Sequence, residues 1–208
     1  MLILELIGTV SFALSGAVVG VSKKADVFGV IFLAIVTALG GGVIRDMMLG
    51  YLPPRMFTAY IYILLAVLSA LAVFLDAYFE KEKAVGHWAK IDQLVNVLDA
   101  AGLAVFTVSG MDMAIESCGM EMPVLLVALG MITGTGGGVL RDVLTNEMPM
   151  VLKKRVYAVA SMAGAILYYL LLVLGVDKMF SGVSSEEPFM TTLRAPSCFQ
   201  AMLTCAPG

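Results

Sequence analysis

Apolar positions along the chain gather into six runs, at 2–20, 27–49, 57–78, 94–115, 122–144 and 156–176. Runs of about 17 to 25 residues match the length of helix that crosses a 30 Å hydrocarbon layer. Short loops separate them, punctuated by Pro53-Pro54, Pro123 and Pro149, residues that end or interrupt helices. One longer polar connection, 80–92, carries Lys81, Lys83, His87, Trp88 and Lys90 and divides the runs into two groups of three. His87 reads as a solvated loop histidine, and Trp88 and Tyr78 sit where interfacial aromatic anchors are expected. From 177 to 208 the chain turns polar and irregular; it cannot span a bilayer there and is expected to be poorly ordered.

Composition sharpens this into a class. The 208 residues are 60% hydrophobic and 14% charged, with a mean hydropathy of +0.96, whereas soluble domains carry about 25% charged residues. The pattern is that of an integral membrane protein. A net charge of -3 lacks the basic excess that nucleic-acid binding requires. Cys118, Cys198 and Cys205 form neither a disulfide framework nor a zinc-type spacing, so three free thiols and no cofactor are expected. The first apolar run has no basic segment before it and no small-residue cleavage site, and reads as a retained span.

The two groups of runs are copies of one another. Gly40-Gly41-Gly42-Val43-Ile44-Arg45-Asp46 returns as Gly136-Gly137-Gly138-Val139-Leu140-Arg141-Asp142, with six of seven positions identical at an offset of 96. Phe12, Ser15 and Gly16 return as Phe106, Ser109 and Gly110 at an offset of 94, and Glu5 has an acidic counterpart in Asp99. Three spans per copy force the second copy to enter the membrane from the opposite side, an inverted-topology repeat of the kind transport proteins use. The expected fold is therefore an all-α integral membrane protein. Residues 1–79 form the first three-helix repeat, 80–92 the connection, 93–176 the second repeat and 177–208 the tail.

The glycine blocks are the chemical anomaly. Each glycine loosens a helix by about 1 kcal/mol relative to alanine, and an intramembrane charge costs from about 2.5 kcal/mol upward. Three glycines followed by Arg-Asp predict breaks in the second and fifth helices. A break is tolerated in the membrane only where protein or a water-filled cavity receives the freed backbone groups, and freed carbonyls facing each other would suit a cation. Thr37, Thr133 and Thr135 add hydroxyl oxygens within about one turn. Leucine at Gly41 or Gly137 is expected to close such a path while leaving the protein inserted. The other reading is a pair of small-residue faces that let helices pack closely. Arg45 and Arg141 either gate or select ions, or snorkel to the interface with Asp46 and Asp142 pairing locally. Asp99 either faces the pore or makes a structural salt bridge, and Glu5, near the N-terminus, reads as interfacial. Neither block matches a nucleotide-binding glycine loop in motif or context, and no enzymatic step is expected.

Lys23, Lys24, Lys81, Lys83, Lys90, Lys153, Lys154 and Arg155 fall on one side of the membrane, against Arg55, Lys178 and Arg194 on the other. The first side is then cytoplasmic and the N-terminus external.

Two Gly-Gly-Gly-x-x-Arg-Asp blocks, each late in the second helix of a three-helix half, resemble the prokaryotic relatives of the trimeric intracellular cation (TRIC) channels, over about 2–175. The resemblance implies a homotrimer in the prokaryotic inner membrane. Each protomer would carry its own pore, bounded by the second and fifth helices at Gly40 to Gly42 and Gly136 to Gly138, conducting potassium and other monovalent cations. The same family is also catalogued as a glycine transporter domain, so a secondary transporter for glycine or a similarly small solute is the alternative. The family's seventh helix would begin soon after Gly175, where this chain has its polar tail.

Overall fold

A computed structural model describes residues 2–79, 88–153 and 155–174, and all regular structure among them is helical. The first half holds α1 (Leu2–Ser22), α2 (Val27–Met48), the short α3 (Arg55–Thr58) and α4 (Tyr60–Phe79); the second holds α5 (Trp88–Cys118), α6 (Pro123–Leu144), the short α7 (Met150–Lys153) and α8 (Arg155–Val173). Five helices, α1, α2, α4, α5 and α6, are long and apolar enough to cross a membrane. α8 occupies the sixth predicted run, with a shorter apolar stretch at Ser161–Val173. Segment 80–87 of the predicted connection and the predicted tail, 177–208, lie outside the described residues.

Three boundaries differ from the sequence pattern, each for a local reason. α5 starts at Trp88, and its 31 residues span about 46 Å at 1.5 Å per residue, so its polar first turns extend past a hydrocarbon layer of about 30 Å. α3 and α7 each follow a proline, Pro54 and Pro149, whose fixed φ suits a helix start. Ala59, extended at φ -94°, ψ 90°, separates α3 from α4, so the third span begins at Tyr60 and not at Phe57.

Each half packs its own core. Phe12, Ala13, Ala17, Val30, Ala34, Ala38, Ala66 and Ala70 bury α1, α2 and α4 together, while Met111, Ala114, Leu126, Leu129 and Ala165 do so for α5, α6 and α8. Alanines dominate because helices in lipid associate through close van der Waals approach and gain little from hiding apolar surface. Ile3, Phe28, Leu64 and Val124 accordingly point outward.

The repeat extends into local geometry. Gly50 (φ 78°) ends α2 and Asn146 (φ 55°) ends α6 in the left-handed region, at the offset of the glycine blocks. Between the halves, Phe12 stacks on Phe106 with centroids 5.5 Å apart and planes 6° from parallel. Ser15 meets Asp99 and Glu5 meets Ser109, so position rises along α1 as it falls along α5. Equivalent helices thus run antiparallel. Polar side chains tie the halves at each end of this assembly. Tyr51 Oη lies 2.9 Å from Ser117 Oγ, and at equivalent positions Lys23 Nζ donates to Glu147 Oε1 at 2.5 Å. That hydrogen bond, and the Lys23 charge behind it, hold the exposed Glu147 carboxyl below its ordinary range.

Candidate functional site

The glycine blocks do not break their helices. α2 runs from Val27 to Met48 and α6 from Pro123 to Leu144 without interruption, so the freed carbonyls expected there do not arise. What the glycines provide is proximity. A Cβ on Gly41 would stand 2.1 Å from the Thr133 carbonyl oxygen, and one on Gly137 2.0 Å from that of Thr37; no side chain fits at either contact. Gly136 lies on the same crossing, where a Cβ would be 3.1 Å from Gly41 Cα. Because successive helical residues turn by about 100°, the neighbouring glycines face elsewhere. A Cβ on Gly40 would meet Leu140 Cδ1 and one on Gly42 would meet Met56, whereas one on Gly138 would find nothing nearer than Arg141 Nη2 at 4.0 Å. The packing of two helices at backbone distance offsets the low helix propensity that argued for a break.

The predicted threonines brace this crossing. Thr37 Oγ1 and Thr133 Oγ1 each donate to the carbonyl four residues back, Leu33 and Leu129, at 2.6 Å, and Thr135 Oγ1 does so to Met131 at 2.7 Å. Gly16 and Gly110 press on Thr37 and Thr133, since a Cβ on either would lie 2.6 Å from the threonine Oγ1. The four inner helices α1, α2, α5 and α6 are thereby locked through small residues.

One turn beyond each glycine block lies a charged cluster, one in each half. Arg45 and Arg141 are each 1% exposed, so neither snorkels to the interface. Arg45 donates through Nε and Nη2 to Asp46 Oδ1 at 2.9 and 2.8 Å; Arg141 does the same to Asp142 Oδ1 at 2.9 and 2.7 Å. The second oxygen of each aspartate takes the backbone N–H that starts the short helix downstream, Arg55 at 2.8 Å and Met150 at 2.9 Å. Each Arg-Asp pair therefore orients a guanidinium and also anchors the turn after its span. Asp99 makes a buried ion pair with Arg141, whose Nη1 lies 2.7 Å from Oδ1, and Ser15 Oγ donates to the same oxygen at 2.7 Å and accepts from Nη1.

Glu5, half-buried near the start of α1, joins the Arg45 cluster. Tyr62 donates to its Oε2 at 2.7 Å and Ser109 to its Oε1. Its acidic counterpart Asp99 and the recurrence of Ser15 as Ser109 were the sequence signal for this role; Tyr62 carried none. A further polar pair, Tyr168 donating to Asp112 Oδ1 at 2.5 Å, also stands outside the predicted set.

A family model described as glycine transporter matches residues 2–77 and 96–172, one segment in each half. The chain belongs to the glycine transporter family. Among relatives of this glycine transporter family chain, a UPF0126 membrane protein of Deinococcus radiodurans is 43% identical over 164 residues, covering 78% of the chain and 72% of the relative. The UPF0126 inner membrane protein YadS of Escherichia coli is 36% identical over 165 residues, covering 79% and 75%. Solved structures supply the likeness in fold. One is a TRIC trimeric intracellular cation channel orthologue from Rhodobacter sphaeroides, at TM-score 0.75 and 31% identity over 86% of this chain and 88% of that one. Another comes from work on conductance through TRIC cation channels, at TM-score 0.71 and 36% identity over 86% and 83%. The resemblance carried by the glycine blocks is thereby shown, and the chain is a helical membrane protein of the TRIC type.

Proposed function

We propose that this chain is a monovalent cation channel of the bacterial inner membrane, conducting potassium through one pore in each protomer of a homotrimer. The observation that carries the proposal is the charge of the two clusters that flank the glycine crossing. Two guanidiniums, Arg45 and Arg141, stand against four carboxylates, Glu5, Asp46, Asp99 and Asp142, a formal excess of two negative charges. Uncompensated charge is costly in a membrane interior, and cations in transit compensate it as anions or neutral solutes cannot. The proposed path passes the charged layers on either side of the crossing formed by Gly40 to Gly42 and Gly136 to Gly138. Thr37, Thr133, Thr135 and Asp99 border it, and Arg45–Asp46 and Arg141–Asp142 serve as fixed charges that open or block it. Likeness to TRIC cation channel structures at 31% to 36% identity supports the reading; no cofactor and no catalysis enter it.

The family description favours one second reading, a secondary transporter for glycine or a similar small solute. Purified protein recorded in planar bilayers, beside labelled glycine uptake into liposomes, separates the two. Discrete single-channel currents in potassium are expected; saturable uptake without them would favour the transporter.

The proposed orientation places the N-terminus outside. After removal of the native cysteines, single cysteines at the exposed positions Leu52 and Lys24 are expected to differ toward a membrane-impermeant thiol reagent in intact cells. Position 52 should label and position 24 should not, and the reverse pattern would invert the topology.

A further inference from the structure

The two halves match where each arginine meets the aspartate after it and where that aspartate takes the N–H of the next turn, and they differ at the remaining guanidinium nitrogen and the acid opposite it. In the second half, Arg141 Nη1 is held by Asp99 and Ser15. In the first, the equivalent carboxylate and hydroxyl, Glu5 and Ser109, bond to each other, Tyr62 takes the remaining Glu5 oxygen, and Arg45 Nη1 is buried with no hydrogen-bond partner among the described residues. A guanidinium nitrogen at 1% exposure without an acceptor is an unsatisfied donor in a low-dielectric interior, the kind of group that takes a partner when one comes within reach. The residue that the repeat places opposite it is Glu5, and the side chains that keep Glu5 away are Tyr62 and Ser109. The two acids differ by one methylene.

We propose that Glu5 and Arg45 form an openable ion pair, seen here parted, that gates the cation path in the first half as the closed Arg141–Asp99 pair does in the second. This rests on the channel reading above. Glu5 then has two stations. On Tyr62 and Ser109 it leaves a carboxylate free of any guanidinium, able to face a passing cation. On Arg45 it takes the free Nη1 and removes that negative site from the path. Tyr62 acts as a positioning residue, because its hydroxyl holds the open station.

Exchanging the methylene between halves tests this without removing a charge. Glu5→Asp gives the first half the acid that closes the second, and is expected to lower single-channel open probability about ten-fold, the weight of one charge-assisted hydrogen bond. Asp99→Glu should release Arg141 and raise open probability by a similar factor. Tyr62→Phe should act in the direction of Glu5→Asp and add little to it, because both shift Glu5 toward Arg45. All are recorded on protein that elutes at the wild-type oligomer size. Wild-type currents with both acid exchanges shifting open probability in the same direction, or with neither shifting it, would overturn the paired gate and leave the channel standing. A failure of both exchanges to assemble would make these acids structural and also overturn the gate. Absence of wild-type current would overturn the channel reading itself.

Discussion

Gly41→Ala is expected to prevent the native assembly from forming, although alanine is the best helix former and the substitution adds a single methyl group. The methyl carbon would sit 2.1 Å from the Thr133 carbonyl oxygen, and a helix backbone cannot retreat as a flexible side chain can. Relief requires α2 and α6 to separate, which opens the contact between the halves along its length. The cost belongs with the exceptional single substitutions, above about 4 kcal/mol, and Gly137→Ala, facing Thr37 at 2.0 Å, should match it. Gly138→Ala, with open space around its Cβ, should be neutral or stabilising by up to about 1 kcal/mol through propensity alone. Size-exclusion profiles and melting curves of the three variants check this ordering. The same geometry revises what leucine would do: Gly41→Leu is expected to cost assembly along with conduction. A Gly41→Ala protein of wild-type size and stability would show that the helices do not cross at these glycines.

The second large effect concerns the aspartates that follow the arginines. Among the described residues, Asp46 accepts every side-chain hydrogen bond that Arg45 makes and also takes the Arg55 N–H. Asp46→Ala therefore strands a buried guanidinium, and removing one partner of a buried pair costs about 3–5 kcal/mol. At 2–4 °C per kcal/mol for a chain of this size, the melting temperature should fall by roughly 10 °C. For Arg45 to find another carboxylate, Glu5 must leave Tyr62 and Ser109, which offsets the gain. Asp142→Ala removes the equivalent group but leaves Arg141 bonded to Asp99 and Ser15, so its cost should be smaller by about 1–2 kcal/mol, the worth of hydrogen bonds to charged groups. Equal losses in the two variants would contradict the difference between the halves.

Much of this arrangement is legible in the sequence, because the membrane imposes length and polarity on a chain with unusual force. The six apolar runs, the pairing of halves through Gly40 to Asp46 and Gly136 to Asp142, and the acidic match of Glu5 with Asp99 all follow from spacing and residue type. The missing part is tertiary. Propensity assigns three glycines a cost that predicts a break, and only the Thr133 and Thr37 carbonyls across the crossing reveal that the missing Cβ atoms are what the contact needs. Arg141 reaches Asp99 from another helix, 42 residues back, which no local pattern encodes; the adjacent Asp142 was the partner within sight. Glu5 reads as interfacial from its place near the chain start, and its bonds to Tyr62 and Ser109 on other helices have no local signature. α3 and α7 are four residues each, too short for hydrophobic periodicity to register.

Whether the net-negative clusters flanking the glycine crossing pass cations is tested most directly by the reversal potential of purified wild-type protein in a planar bilayer under a tenfold potassium chloride gradient. Discrete currents reversing close to the potassium equilibrium potential, about 59 mV from zero for one charge per tenfold ratio, are the predicted result. Reversal on the chloride side of zero, or a bilayer that stays silent while the same preparation takes up glycine, would contradict it.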